Sequence, residues 1–504
     1  MAKNSLGREI PAQWRGRTLD PYLDPWSRQP EVRRAPGDSK LLPSLRAAIE
    51  ACGLRSGMTI STHHALRNGD LLLNLLVREM DAMGLCDMGI ASSSVHAVQA
   101  EIIPYIRKGV ITRIETGVNG LIGELVSKGE LDCPIIVRSH GGRARSLVTG
   151  QVEVDAAFIA APCCDLTGNL NGVSGPSACG SLGYAHTDAR YARKVVAVTD
   201  HLVPYPAAPI SISQSDVDYV VKIDSLGDPA KIVSTTTRLT RDPAGLLIAK
   251  YAAEVIEASG LLRDGFSFQT GAGGTSLAVA DNVRRKMTEG GIKGSFGCGG
   301  ITGYFVDMLE QGTFETLFDV QCFDLAAVES LRRNAGHREI SADLYANPFN
   351  RGAVVNMLDC VILGATEVDV DFNVNVNTES SGYLLHNTGG HCDVAAGAKL
   401  AIVVAPSMRG RLPIVREAVT TVTTPGETVD VIVTERGICV AEKHADLKRE
   451  LQRRNLPVKD IRQFHEEITR LTGVPRPVEF EDEVVALIEY RDGSIIDVVR
   501  RVHE

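Results

Sequence analysis

Residues 366–377 are Thr-Glu-Val-Asp-Val-Asp-Phe-Asn-Val-Asn-Val-Asn, and polar and apolar side chains alternate through the whole stretch. A period of two residues predicts one β-strand with a buried apolar face. The polar face begins with Glu367, Asp369 and Asp371, which would stand roughly 6.6 Å apart along such a strand. Because like charges repel, this face indicates either a solvated strand or loop edge or a site that requires a carboxylate.

The chain around this stretch resembles an earlier part of itself. Residues 358–363 match residues 154–159 at a spacing of 204 positions, and residues 258–269 match residues 51–62 at a spacing of 207. Apolar strands can resemble each other by chance, but the near-constant spacing over a hundred residues favours duplication. The sequence therefore predicts an α/β fold made of two copies of one unit in tandem.

The predicted organisation is an N-terminal arm and two domains. The arm covers residues 1–45, the first domain residues 46–235, and the second domain residues 236–504, including a C-terminal extension of helices and strands. Apolar runs predict buried parallel strands; they lie at residues 134–138, 156–160, 194–199, 266–269 and 400–405. Amphipathic stretches predict helices at residues 45–51, 70–83, 244–259, 276–285, 443–455 and 458–471, and a final strand pair is expected at 484–490 and 495–499.

Composition and charge exclude several classes of protein. The 504 residues are 44% hydrophobic and 23% charged, with 48 glycines and 5% aromatic residues. This composition is typical of a globular α/β protein with many tight turns. A net charge of −9 argues against nucleic-acid binding, because phosphate contacts need clustered cations.

The cysteines and the apolar runs predict a cytoplasmic protein. Eleven cysteines are scattered without any C-x-x-C spacing, which indicates reduced thiols and not a disulfide framework or a zinc site. The N-terminus has charges and no apolar core, so no signal peptide is expected. No apolar run of about 18 residues is present, so no membrane span is expected.

Glycine-rich turns are candidates for binding an acyl group. Gly271-Ala272-Gly273-Gly274 follows a predicted strand and precedes a predicted helix, and Gly389-Gly390 begins a second such turn. Backbone N–H groups at a helix N-terminus can bind an oxyanion, a phosphate or a thioester carbonyl, although a purely structural turn has the same composition. A third turn at residues 297–300 is expected near the same sheet edge, which favours a site.

The first copy has basic turns in place of glycine turns. His63, His64 and Arg67 lie in one turn, and Arg143 lies in another at residues 139–145. These side chains can bind a polycarboxylate through charge-assisted hydrogen bonds, whereas the same turns can also simply cap helices. At the 204-residue spacing Glu367 falls on Cys163, so only the second copy contributes an acid at this position.

Several of these motifs together resemble a known family. Glu367-Val368-Asp369, followed by Gly389-Gly390, and the turn at 270–274 resemble the acetyl-CoA hydrolase and 4-hydroxybutyrate CoA-transferase group. The stretches 56–70 and 378–391 resemble the citrate lyase α-subunit family more closely, and this likeness covers nearly the whole chain. The resemblance implies two CoA-transferase-type (NagB/RpiA-like) open-sheet domains with the active site at their interface.

The resemblance also implies an activity. Members of this family exchange acetyl on an acyl-carrier protein for citrate and release acetate, which makes the chain a citrate CoA-transferase and the transferase component of citrate lyase. The implied partners are the β subunit and the γ (acyl-carrier) subunit, in an oligomer. No cofactor is expected to stay bound; the chain would act on the CoA-like phosphopantetheine group of the carrier, triphosphoribosyl-dephospho-CoA, or on CoA thioesters.

Roles for individual residues follow from the same resemblance. Glu367 matches the glutamate that forms an acyl anhydride in related CoA-transferases, whereas in the citrate lyase branch exchange is thought to be direct and Glu367 would orient the reactants. The glycines would bind the thioester oxyanion; they are Gly271, Gly273, Gly274, Gly389 and Gly390. By chemistry alone, and not from the resemblance, the cationic partners of citrate would be His63, His64 and Arg67, or Arg143; His391 departs from the Gln of the hydrolase group and would mark citrate specificity. The alternative is a separate CoA-transferase or acyl-CoA hydrolase that acts on another acid, such as citramalate.

Overall fold

The structure, a computed structural model, describes residues 2–5, 8–14, 17–19, 39–233, 238–271 and 273–503. The chain divides into two compact units, Met1–Lys40 and Leu41–Glu504. The first unit contains two short antiparallel strand pairs, Ala2–Lys3 with Glu9–Ile10 and Gln13–Trp14 with Arg17–Thr18. The domain boundaries expected near residues 45 and 235 stay a prediction.

The first half of the second unit forms a seven-stranded parallel sheet. Its strands in spatial order are Leu41–Leu42, Tyr219–Lys222, Val195–Thr199, Ala156–Ala160, Thr59–Ser61, Met88–Ile90 and Ile111–Ile114. The two central apolar runs, Ala156–Ala160 and Val195–Thr199, are buried along their whole length. Strands that are apolar on both faces favour this parallel arrangement.

The second half forms a nine-stranded sheet. Its strands in spatial order are His337–Glu339, Phe314–Cys322, Gly294–Ile301, Ser267–Thr270, Cys360–Gly364, Leu400–Val404, Val431–Thr434, Gly437–Val440 and Val458–Lys459. Neighbouring strands are parallel except for Val431–Thr434 and Gly437–Val440, which are antiparallel.

The two sheets share buried details that agree with a duplication. Asp155 Oδ2 accepts a hydrogen bond of 2.9 Å from the Thr59 N–H, and Asp359 Oδ2 accepts one of 2.9 Å from the Ser267 N–H. Asp155 and Asp359 stand at the 204-residue spacing of the sequence repeat. The α/β fold with open parallel sheets, as expected from the sequence, is therefore confirmed.

Several helices begin at a side chain that caps the first turn. Ser44, Ser139 and Asp242 each accept a hydrogen bond from a backbone N–H in the first turn of the following helix, which satisfies a donor that the helix leaves open.

No helix in the described part of the chain is long and apolar enough to cross a membrane. The α-helices are Leu45–Ala51, Leu72–Ala82, Ile103–Arg107, Gly120–Ser127, His140–Val148, Ala185–Tyr191, Pro243–Ala258, Gly274–Gly290, Gly303–Glu310, Leu325–Arg333, Ala342–Ala346, His391–Gly397, Ala445–Arg453 and Ile461–Thr472.

The prediction of one continuous strand at residues 366–377 is wrong. Glu367–Asp369 and Val374–Asn375 form an antiparallel hairpin, and Val415–Arg416 pairs with the first of these strands. Phe372 has a φ of +68° in the connecting turn. The expected solvated face is also wrong near the hairpin, where Glu367 and Asp369 are buried. Asp369 Oδ1 accepts the N–H groups of residues 371 and 373, so this buried carboxylate closes the turn that the alternating pattern does not reveal.

The C-terminal extension returns to the first half of the chain. Phe480–Glu489 pairs antiparallel with Ile495–Val502, as expected, and also parallel with Ile135–Arg138. Residues 135–138 are therefore a parallel strand, as predicted, but in a separate three-stranded sheet. Glu489 Oε1 lies 3.0 Å from Arg138 Nε and 2.8 Å from Arg145 Nη2, which compensates its buried charge.

Candidate active site

Glu367 is the first residue of the strand Glu367–Asp369, and its side chain is fully buried. The carboxylate is surrounded by donors: Oε1 accepts from Ser380 Oγ at 2.7 Å, and Oε2 accepts from Asn375 Nδ2 at 3.1 Å and from the Thr420 N–H at 2.8 Å. Arg416 Nε lies 3.0 Å from Oε1 and forms an ion pair. Both oxygens are thus held by two groups each, so the acid has one fixed orientation.

Cys163 occupies the equivalent place in the first half. It begins the strand Cys163–Asp165 and is opposite Asn171, as Glu367 is opposite Asn375. Burial raises the pKa of the Cys163 thiol, so this position is uncharged at neutral pH. The two halves therefore differ at this position as the sequence alignment indicates, with an acid only in the second.

The turn at residues 271–274 ends a strand and begins the helix Gly274–Gly290, which no side chain caps. A Cβ at Gly271 or Gly273 would meet no atom closer than 3.7 Å, whereas one at Gly274 would lie 2.8 Å from the Arg238 carbonyl oxygen. Close packing therefore requires glycine only at position 274. The space next to Gly271 and Gly273 is open to a ligand. The Gly271 N–H already donates to the Ile362 carbonyl, so the uncapped helix start is the better oxyanion donor.

The turn at Gly389-Gly390 lies against the first half of the chain. Gly389 has a φ of +61°, and its carbonyl oxygen accepts the His140 N–H at 2.8 Å. A Cβ at Gly390 would lie 2.6 Å from the Tyr345 hydroxyl, so close approach requires glycine there. Asp393, in the helix that follows, accepts from Ser139 Oγ at 2.8 Å, which fixes the turn against this part of the first half.

His391 connects this turn to the strand that leads to Glu367. Its Nε2 lies 2.9 Å from the Gly364 carbonyl oxygen, and its Nδ1 lies 2.7 Å from Thr424 Oγ1. Burial lowers the pKa of His391 to about 4, so the ring is neutral near neutral pH. Both ring nitrogens bind protein groups, so His391 holds Gly364 in place. A Cβ at Gly364 would meet no other atom within 4 Å.

Histidines and a tyrosine stack where the two halves meet. The ring centroid of His64 lies 4.9 Å from that of His96 and 4.8 Å from that of Tyr184, and His140 lies 4.5 Å from Tyr184. Gln321, from the second half, donates to the His64 carbonyl oxygen at 2.8 Å. Burial lowers the pKa of His96 and of His140 to about 3, so both rings are neutral near neutral pH.

The histidine cluster comprises His64, His96, His140, Tyr184, Asn387 and Arg67, whose charge, after burial, is the next cause that lowers the pKa of His96. Asn387 contributes through Nδ2, 3.4 Å from the Ser93 carbonyl oxygen, while Ser93 Oγ lies 2.6 Å from His64 Nδ1. Among the described residues, His96 Nε2, Arg67 Nη1 and Asn387 Oδ1 are buried without a hydrogen-bond partner, so they can contact a ligand. One cation and neutral rings that can donate suit an anionic ligand.

The basic residues predicted from the sequence divide into two groups. His64 and Arg67 belong to the histidine cluster, whereas His63 and Arg143 contact Asp188. Arg143 binds Asp188 in a bidentate manner at 2.8 and 2.7 Å, and His63 Nε2 lies 3.1 Å from it. Burial alone would raise the pKa of Asp188, but Arg143 and His63 outweigh burial and hold that pKa below its usual range.

Sequence reasoning missed several members of the histidine cluster, including His96, His140, Tyr184 and Asn387. The sequence does contain a signal for His140, because this residue lies in the basic turn at residues 139–145. The others are single residues far apart in sequence, and only their convergence marks them. All eleven cysteines are free thiols, and the described residues contain no group of three or more metal-binding side chains.

Comparisons with known proteins place the chain among its relatives. The family model described as "Citrate lyase, alpha subunit (CitF)" matches residues 38–502. The citrate lyase alpha chain of Klebsiella pneumoniae is 47% identical over 490 residues, with 96% of each chain covered. That of Escherichia coli K12 is 47% identical over 468 residues, covering 93% of this chain and 92% of the relative.

Solved structures show the same fold. A crystal structure of a citrate lyase α subunit in complex with citrate, from Streptococcus mutans, has a TM-score of 0.92 and 46% identity, covering 99% of this chain and all of the other. The malonate decarboxylase α subunit from Acinetobacter baumannii shares only the fold, with a TM-score of 0.64 and 14% identity over 87% of this chain and 93% of the other. The family model and the relatives together show that this chain belongs to the citrate lyase α-subunit family.

Proposed function

We propose that this chain replaces the acetyl group on an acyl-carrier protein by citryl and releases acetate, as the transferase subunit of citrate lyase. Family membership over residues 38–502 supports this role. The observation that carries the assignment to a site is Glu367, a buried acid fixed by Arg416, Ser380, Asn375 and Thr420. A separate CoA-transferase or hydrolase acting on another acid, such as citramalate, is not favoured by the family match.

The thioester carbonyl would lie over the start of the helix Gly274–Gly290. Open space over Gly271, Gly273 and Gly364 supports this placement, because a side chain at these positions would occupy it. The uncapped N–H groups and the helix dipole stabilise an oxyanion as it develops. This environment favours attack on the thioester carbonyl by a carboxylate, which in water is a poor nucleophile.

Glu367 is required for the exchange in this proposal, and its network favours an orienting role. Its side chain is fully buried and each oxygen already has two partners. Nucleophilic attack by Glu367 would need Arg416 or Ser380 to release one oxygen, whereas direct exchange between citrate and the thioester needs no release. Borohydride trapping during turnover separates the two routes, because only an acyl-glutamyl or glutamyl-thioester intermediate is reduced at Glu367.

Citrate would be bound by the histidine cluster. Arg67 and the unsatisfied atoms of His96 and Asn387 support this placement. Residues 378–388 connect the network of Glu367 to this cluster: Asn375, a partner of Glu367, donates to Thr378 Oγ1 at 3.0 Å, and Asn387 donates to the Ser93 carbonyl oxygen at 3.4 Å. Substrate bound in the cluster would therefore be held by the same loop that supports the acid.

The remaining parts of the proposal concern the assembly. A lyase β subunit and an acyl-carrier γ subunit with a triphosphoribosyl-dephospho-CoA group would be the partners, in an oligomer located in the cytoplasm. This chain would bind the prosthetic group only as part of its substrate. Co-purification of the three subunits is the direct measurement.

The deciding experiment measures acetate release from acetyl-carrier with and without citrate. The wild-type chain should release acetate only when citrate is added, and Glu367→Gln should reduce that rate by about 10²–10³-fold. Asp371→Asn is the matched control, because Asp371 is an exposed carboxylate of the same hairpin and pairs with Arg462 at the surface. Citrate-independent release, or equal activity with other acids and free acetyl-CoA, would contradict the proposal.

A further inference from the structure

A cavity of about 680 Å³ lies next to the site of Glu367. Three of its lining residues adjoin that site: Thr366 precedes Glu367, and Ser380 and Arg416 contact the carboxylate. The volume is within the range of small-molecule sites, which is roughly 300–1,000 Å³. The cavity is distinct from the histidine cluster, none of whose residues line it.

The cavity is basic although the whole chain is acidic. Arg409, Arg416 and Arg476 line it, and Glu379 is the only acidic residue in the lining. Arg409 and Arg476 are exposed, and neither has an ion pair within the described part of the chain. Arg416 is largely buried, with 14% of its side chain exposed, and is held by Glu367. The arginines thus extend from the acid inside to the protein surface.

A second cavity differs from the first in how its basic residues are paired. That cavity, of about 550 Å³, is lined by Lys443, Lys448, Lys459 and Arg462. Lys443, Lys459 and Arg462 pair with the carboxylates of Asp430, Glu467 and Asp371, respectively. Two arginines at the mouth of the first cavity, by contrast, keep their charge available to a ligand.

The walls of the first cavity add an apolar component. Leu385, Leu412 and Ile414 line it together with the arginines. A small polycarboxylate alone would gain little from such walls, whereas a longer arm that has methylene and methyl groups and ends in phosphate groups would use both parts. Guanidinium groups suit phosphate because their planar N–H donors bind two oxygens at once.

We propose that this cavity binds the phosphate-bearing arm of the thioester substrate, with the phosphate groups at Arg409 and Arg476 and the methylene and methyl groups of the pantetheine arm along Leu385, Leu412 and Ile414. The inference rests on the proposed function, since it places the carrier's prosthetic group, or CoA, in a defined channel. Arg416, at the inner end, links the channel to Glu367. The arginines at the mouth therefore select the acyl donor, while citrate binds elsewhere.

The test compares the binding of CoA and of pantetheine, which lacks the phosphate groups, by titration calorimetry with the full-length chain. The wild-type chain should prefer CoA. Arg409→Ala/Arg476→Ala should weaken CoA binding by about 100-fold, near tenfold for each charge-assisted contact, and leave pantetheine binding unchanged. Inorganic pyrophosphate should compete with CoA in the wild-type chain only.

Arg411→Ala is the matched control, because Arg411 lies in the same turn, is exposed and does not line the cavity. It should bind CoA as the wild-type chain does. An unchanged preference for CoA in the double variant would overturn the proposal, and so would a selective loss of citrate affinity, which would instead make the cavity a polycarboxylate site. Since binding is measured without turnover, failure of the exchange assay and failure of this inference are separate results.

Discussion

Replacement of Glu367 by Gln tests the network on which the site depends. The two side chains have the same shape, so the change removes the charge and converts one acceptor oxygen into an NH₂ donor. If that NH₂ group takes the place of Oε1, it faces Arg416, which cannot accept. If it takes the place of Oε2, it faces the Thr420 N–H, which cannot accept either. Neither orientation of Gln satisfies the surrounding donors.

The loss of stability expected for Glu367→Gln follows from the burial of the ion pair between Glu367 and Arg416. Glu367 is fully buried, and Arg416 Nε and Nη2 find no hydrogen-bond partner apart from the ion pair. Removal of one member of a buried pair leaves the other charge uncompensated, which costs about 3–5 kcal/mol. We therefore expect Glu367→Gln to lower the free energy of unfolding by that amount, besides its effect on exchange.

Urea denaturation followed by far-UV circular dichroism measures the stability of the full-length chain. Glu367→Gln, Arg416→Met and the double variant form a cycle, in which the double variant should be more stable than the sum of the single losses predicts, by about 1–3 kcal/mol. Additivity to within about 0.5 kcal/mol would refute the interaction. Glu367→Asp, which keeps the charge but shortens the side chain, is the control for charge alone.

Three further predictions concern the surroundings of the acid. Gly364→Ala should change stability by less than about 0.5 kcal/mol, because its Cβ meets open space, yet slow exchange by filling the site; an unchanged rate would contradict a ligand there. Arg143→Met should lower the free energy of unfolding by about 3–5 kcal/mol by leaving Asp188 without its bidentate partner; a loss below about 1 kcal/mol in urea denaturation would disprove this role. Burial lowers the pKa of His96 and His140 to about 3, and bound citrate should raise it, so binding should take up protons and strengthen as the pH falls from about 7 to 5. Calorimetry in buffers of different ionisation enthalpy measures this uptake, and its absence would exclude citrate from the cluster.

Glu367 shows what a sequence pattern can predict about a residue and what it cannot. Its alternating surroundings predict a strand, and the 204-residue repeat makes its position equivalent to that of Cys163; the structure shows both residues in the same place of matching strand pairs. The same alternation leaves open whether the acidic face is solvated or part of a site, and the solvated alternative is wrong at Glu367 and Asp369, which are buried. Alternation shows only which residues share a face of a strand. Whether that face meets water depends on residues such as Arg416 and Thr420, about fifty positions further along.

The basic turns show the same limit. Charge and spacing place His63, His64, Arg67 and Arg143 in two turns but cannot say what each side chain contacts. In the structure Arg143 uses its donors on Asp188 and on backbone carbonyl groups, while Arg67 keeps a buried nitrogen unpaired. A buried charge finds its partner among groups that the fold brings together, and those groups lie far apart in sequence.

By itself, the sequence determined the α/β class with parallel sheets and pointed to the acid at position 367, because apolar runs, glycine turns and strand-like alternation are local properties of the chain. Only the tertiary structure decided that residues 366–377 turn back as a hairpin. It also decided that the last strands join Ile135–Arg138, and that arginines from separate segments line one cavity. The reason is physical: backbone preferences act between neighbours, whereas the pairing of buried charges and the shape of a cavity arise when distant segments pack and exclude water.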